Sequence, residues 1–219
     1  MTVRSPQADI NEPTKIFGPI VFSRGADERA HRLAVVWVTS DENPGELHPM
    51  GEHAVPVTSL DQVCGQYVWR AEFDLPAAPI AFYRLHGRDY QVNTAASHEA
   101  TIGYVSCSGR EKDEDLWSVS DRNRMWQTLA NHHAAQPLTL LLHGGDQLYA
   151  DNIVQAHPEL RQWAAAKHEA KGALGFSSGA RAAAEKFLLE RYAWLYSHEP
   201  VAHLHAHVPS LMMWDDHDI

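Results

Sequence analysis

The stretch PLTLLLHGGD, residues 137–146, constrains the chain most. It is apolar without alternation, too short for a typical helix, and runs straight into Gly144-Gly145-Asp146. Such a run fits a strand buried on both faces, as in a parallel sheet. Two more runs have the same form: ATIGYVSC (100–107), ending on Ser106-Cys107, and VPSLMMWDD (208–216), ending in carboxylates. Helical patterns lie between them. One is predicted over 121–135, with Met125, Leu129 and one of His132 and His133 on its apolar face. Two more are predicted over 158–171 and 180–197, split by GALGFSSG. In the second of these, Leu188, Tyr192 and Leu195 fall at i, i+4 and i+7. Strand, helix, strand, helices, strand predicts an α/β sheet with flanking helices.

The first hundred residues read differently. RLAVVWVT (32–39) is rich in β-branched and aromatic residues. QYVWRAEFDL alternates, with Tyr67, Trp69, Ala71, Phe73 and Leu75 on one face and Val68, Arg70, Glu72 and Asp74 on the other. IAFYRLHG (80–87) is a further strand pattern, and turn-forming clusters such as DENPGELHPMGEH separate the runs. Short strands with no helical pattern between them predict a small antiparallel β-sandwich. The expected organisation is therefore an N-terminal tail (1–15), a sandwich-like domain (16–99) and an α/β part (100–219).

Composition excludes some functions. The net charge of -10 argues against a general nucleic-acid binder, which needs a basic surface. Two cysteines, Cys64 and Cys107, are too few for a disulfide framework. No apolar run approaches the ~20 residues of a membrane span. The N-terminal MTVRSPQADINEPTK lacks an apolar leader, which predicts a cytoplasmic protein with export left open.

All three α/β strands end on chemistry. The first ends on Cys107, the second on Asp146 with Tyr149 and Asp151 close behind, and the third on Asp215-Asp216-His217-Asp218. In a parallel sheet the carboxyl ends lie along one edge, and ligands bind outside that edge. Clustered carboxylates repel one another, and a cation removes that cost. Thiolate, phenolate, carboxylate and imidazole all bind transition metals, while carboxylates also suit calcium or magnesium. HLHAH (203–207) adjoins a predicted helix end and a proline, and reads as surface and linker; His132-His133 reads as surface too.

GDQLYAD and MMWDDHDI, with YVSC upstream, resemble the motifs of the PhoD-like alkaline phosphatases, a branch of the calcineurin-like metallophosphoesterases. The resemblance covers roughly residues 100–219, and it implies a partial metallophosphoesterase sheet behind the sandwich. It implies iron and calcium as cofactors, and other divalent metals suit the same donors. Cys107 and Tyr149 would bind iron, Asp146 would bridge two metals, Asp216 and Asp215 would stand in the metal site, and His217 would assist the leaving group or contact phosphate. The implied reaction is hydrolysis of a phosphomonoester or phosphodiester by a metal-bound hydroxide. The substrate-binding residues are unknown.

The family's fold carries further ligands beyond WDDHD, so this chain resembles an N-terminal portion. The expectation is a truncated chain of poor activity, completed by a missing C-terminal half or a companion chain, with an uncovered sheet edge. The alternative is a non-catalytic metal-binding or interaction remnant with an incomplete site.

Overall fold

The structure is a computed structural model that describes residues 15–94, 100–108 and 118–218. Most of the predicted tail and of the polar stretch SGREKDEDLWSVSD lies outside the described residues. Ten strands are present among them: β1 (Lys15–Ala26), β2 (Ala30–Thr39), β3 (Leu47–Pro49), β4 (Val57–Val63), β5 (Gln66–Pro76), β6 (Ala81–Leu85), β7 (Arg88–Val92), β8 (Ile102–Val105), β9 (Leu140–His143) and β10 (Ser210–Met212). The helices are α1 (Val119–Arg122), α2 (Arg124–Ala135), α3 (Pro158–Ala165), α4 (His168–Lys171), α5 (Ser178–Tyr196) and α6 (Glu199–His207).

Period-two alternation decides the first half. Along β5, Trp69, Ala71, Phe73 and Leu75 are buried while Glu72 and Asp74 are exposed. That face packs with Leu33, Val35 and Trp37 of β2 on a second, three-stranded sheet ordered β3-β6-β7, whose Leu85, Tyr83 and Val92 complete the core. Each of these large side chains, removed from water, contributes about 2–3 kcal/mol before the entropy of ordering the chain.

The larger sheet has seven strands in the order β4-β5-β2-β1-β10-β9-β8. It is antiparallel from β4 to β1 and parallel from β1 to β8. One sheet thus runs through both predicted parts of the chain, joined where Phe22 of β1 faces Ser210 of β10. Tyr83 strengthens the join: its buried hydroxyl donates to the carbonyl of Ala206 at 2.8 Å.

The helices α2, α5 and α6 pack on one face of the parallel strands, around Leu141, Leu138, Leu195, Val201 and Leu204. Ser177 starts α5 by accepting from the amide of Ala180, a cap worth about 1 kcal/mol. The opposite face is open. Tyr104 and Leu211 both pair with Leu142, so they share its face, and they are 69% and 47% exposed. The apolar runs predicted strands buried on both faces; among the described residues only one face is packed.

Three helix readings change. The segment 121–135 breaks at Asn123, and its inner face is Trp126 and Ala130, with Met125 exposed. The segment 158–171 breaks into α3 and α4. HLHAH is neither surface nor linker: it ends α6, with Leu204, His205 and Ala206 buried. Val201, Leu204, His205 and Val208 stand at i, i+3, i+4 and i+7, and Pro200 sits in the first turn, where a proline does no harm. Among the described residues, no helix is long and apolar enough to cross a membrane.

Candidate metal centre

The parallel order β10-β9-β8 sets three strand ends side by side. Beyond the strands the backbone keeps pairing: Gly144 donates to Val105, Cys107 to the carbonyl of Gly145 at 3.1 Å, and Ser108 to that of Asp146 at 2.8 Å. Cys107 and Asp146 both take left-handed backbones, with φ of 59° and 51°. For non-glycine residues this is a strained state that surrounding structure must enforce, and it aims both side chains across the sheet edge. Gly145 makes the close approach feasible. Its φ is 96°, and a Cβ there would lie 2.5 Å from that of Asp215.

The third strand enters through a short 3-10 turn, Asp216–Asp218. Asp218 anchors it. Its buried carboxylate accepts from the amides of Leu148, at 2.8 Å, and Asp215, at 3.0 Å. The amide of His217 donates to Oδ1 of Asp146, and the carbonyl of His217 accepts from Ala150. The loops after β9 and β10 are therefore stitched together from both sides.

Asp146, Asp216 and His217 each offer a ligand atom, and these atoms lie within 4.8 Å of one another. Asp146 is buried, Asp216 exposed and His217 half-buried. The thiol of Cys107 donates to Oδ2 of Asp146 at 3.5 Å. Tyr149 stacks its ring on His217, with centroids 4.5 Å apart. Asp215 lies outside the group of three, and its Oδ1 accepts from the amide of Asp216.

Burial, then the neighbouring Cys107, Asp146 and Asp151, push the Tyr149 phenol up to about 12. Negative and electron-rich groups crowd one another here, which a cation would relieve. The donor set fits metal ions: thiol, phenol and imidazole suit a transition ion such as iron, and carboxylates also suit calcium.

Sequence reading missed two supports. Nδ1 of His217 lies 2.9 Å from both oxygens of Asp151. An ionised carboxylate can only accept, so Nδ1 carries the proton. This contact comes first among the causes that raise the His217 pKa above its ordinary value. The second support is Asp218, which the DDHD run placed among candidate ligands in bulk but which serves the backbone. Spacing alone does not separate a ligand from a brace; here both carboxylate oxygens of Asp218 are taken by backbone amides. Beside the centre opens a cavity of about 680 Å³, lined by Cys107, Tyr149, Trp126, Leu129, Arg122 and Trp194 among others.

The family model for PhoD-like phosphatases matches residues 102–219. A solved structure described as "Structure of PhoD" is 16% identical, with a TM-score of 0.42, over 96% of this chain and 40% of its own. The chain thus spans about 40% of the length of that structure. No curated protein matches the sequence. With the matched region covering both motifs of the centre, the chain belongs to the PhoD-like phosphatase family.

Proposed function

We propose that this chain carries the N-terminal share of a metal-dependent phosphoester hydrolase, acting on phosphomonoesters or phosphodiesters. The observation that supports this most is the gathering of Asp146, Asp216 and His217 within 4.8 Å at one sheet edge, with Cys107 and Tyr149 beside them. Cys107 and Tyr149 would hold iron, Asp146 would be shared between two ions, and Asp216, with Asp215 behind it, would serve a calcium-type ion. When bound, such ions supply Lewis acidity and a nucleophile from water.

The chain's own residues do the rest. Asp151 fixes the ring of His217 and favours its protonated form, whose Nε2–H can donate to a phosphoryl oxygen or pass its proton to the departing alcohol. Tyr149 holds the other face of that ring. The adjoining cavity takes the organic arm of the ester, with Arg122 and Arg191 held over the Trp194 ring at its wall.

A second reading, metal binding with little turnover, is favoured by the open sheet face of Tyr104 and Leu211 and the exposed Trp214 beyond it. An apolar face of this kind suits a packing partner. A further polypeptide segment, in the same chain or another, would cover it and add ligands.

The test is release of nitrophenol from nitrophenyl phosphate and bis(nitrophenyl) phosphate by chelated and metal-loaded protein. Hydrolysis that appears with iron and calcium, and disappears in Asp146→Asn, supports the hydrolase. Metal uptake without turnover favours the second reading. Turnover that persists in chelator would sink both.

A further inference from the structure

The histidine tract of α6 stands apart from the candidate centre. His203 and His207 are four residues apart, on one face of the helix, with ring centroids separated by 4.5 Å and planes inclined by 33°. Two histidines at this spacing on a helix form a ready chelate for a transition ion, with Nε2 atoms about 2.0–2.1 Å from the metal.

His207 is prepared for this. Its Nδ1 lies 2.8 Å from the carbonyl of Gln91 at the end of β7. A carbonyl only accepts, so Nδ1 carries the proton and Nε2 presents a lone pair. A backbone carbonyl that holds the far nitrogen is the support that metal-ligating histidines ordinarily have.

The surroundings suit an ion. Both rings line a cavity of about 240 Å³, together with Glu199, Tyr90, Arg88 and Phe17. Glu199 stands one turn before His203 and brings negative charge to the same face. Arg88 places its guanidinium 5.3 Å from the Tyr90 ring centroid, where the π face takes up part of its charge. His133 is near, with its ring 6.1 Å from His203, but its Nδ1 accepts from the amide of Leu138. Its Nε2 therefore carries the proton and offers no lone pair.

We propose that His203 and His207 form a second metal site, with Glu199 as its charge partner, for a divalent ion of the zinc, nickel or copper class. The bound ion ties the two turns of α6 that carry His203 and His207 and holds the His207 ring against the Gln91 carbonyl of β7. The site does not depend on the hydrolase reading.

The probe is Ni²⁺, titrated calorimetrically into tag-free Asp146→Asn protein, where the candidate centre is disabled. One equivalent is expected to bind and to raise the melting temperature. Adding His203→Ala and His207→Ala is expected to weaken that binding at least tenfold and to abolish the melting shift. If the combined variant does not fold, His203→Gln alone, at a half-buried ring, gives the same readout. Binding and melting shift within twofold of the Asp146→Asn protein in either variant would overturn the proposal.

Discussion

The backbone amide of His217 donates to Oδ1 of Asp146 at 3.2 Å, tying together two strand ends 71 residues apart. The same carboxylate accepts the thiol of Cys107 through its other oxygen. One buried aspartate thus joins the ends of β8, β9 and β10.

Asp218 braces the turn from within. Asp218→Ala leaves the buried amide of Leu148 without its acceptor and releases that of Asp215. The expected loss is about 2 kcal/mol. Urea unfolding checks it, and Asp218→Asn, which keeps one acceptor oxygen, is expected to lose less. Equal stability of Asp218→Ala and wild type would contradict the bracing role.

Gly145 is where the backbone beyond β9 closely approaches Asp215. Gly145→Ala forces a Cβ into that contact at a backbone angle that L residues avoid. The combined strain is about 2 kcal/mol or more. Thermal melting should show the loss, and metal affinity should fall with it because Asp146 is the next residue. A variant with wild-type melting and wild-type metal affinity would show that the close approach is not needed.

The buried histidine pair makes the fold acid-sensitive. Burial pushes His143 down to about 4 and His205 well below its ordinary value. In the unfolded chain both titrate near about 6.5, so between these values the unfolded state binds protons that the folded state refuses. Their stabilisation is complete above the unfolded value and is lost as pH falls toward the folded one, at up to about 1.4 kcal/mol per pH unit for each ring. Both ring nitrogens of His205 are buried without a partner among the described residues, against Trp126 and Tyr196. His205→Leu should therefore gain about 1 kcal/mol at neutral pH and flatten the fall between pH 6.5 and 4.5. Urea midpoints measured across that range decide it, and parallel curves would contradict the account.

Much of this was legible from residue order. The alternation in QYVWRAEFDL gave β5 with its buried face, and three apolar runs ending in Cys107, Asp146 and Asp215-Asp216-His217 gave the parallel strands and the convergence of their ends. What escaped has physical causes. Histidine counts as polar, so α6 went unseen although His205 is 2% exposed. The face of α2 was misjudged because Met125 looks like core, yet lines a cavity. The continuous sheet depends on β1 meeting β10, a pairing with no local signal at all. The roles of Asp151 and Asp218 follow from contacts made 66 and 70 residues away.

The most direct measurement is metal stoichiometry and affinity of the chelator-treated chain, by calorimetry with Mn²⁺ and Fe²⁺, against Asp146→Asn. The account predicts at least one equivalent bound by the wild type and affinity at least tenfold weaker in the variant, with both proteins equally folded. Equal binding by the two would mean that the cluster of Asp146, Asp216 and His217 is not a metal centre, and the hydrolase reading would lose its foundation.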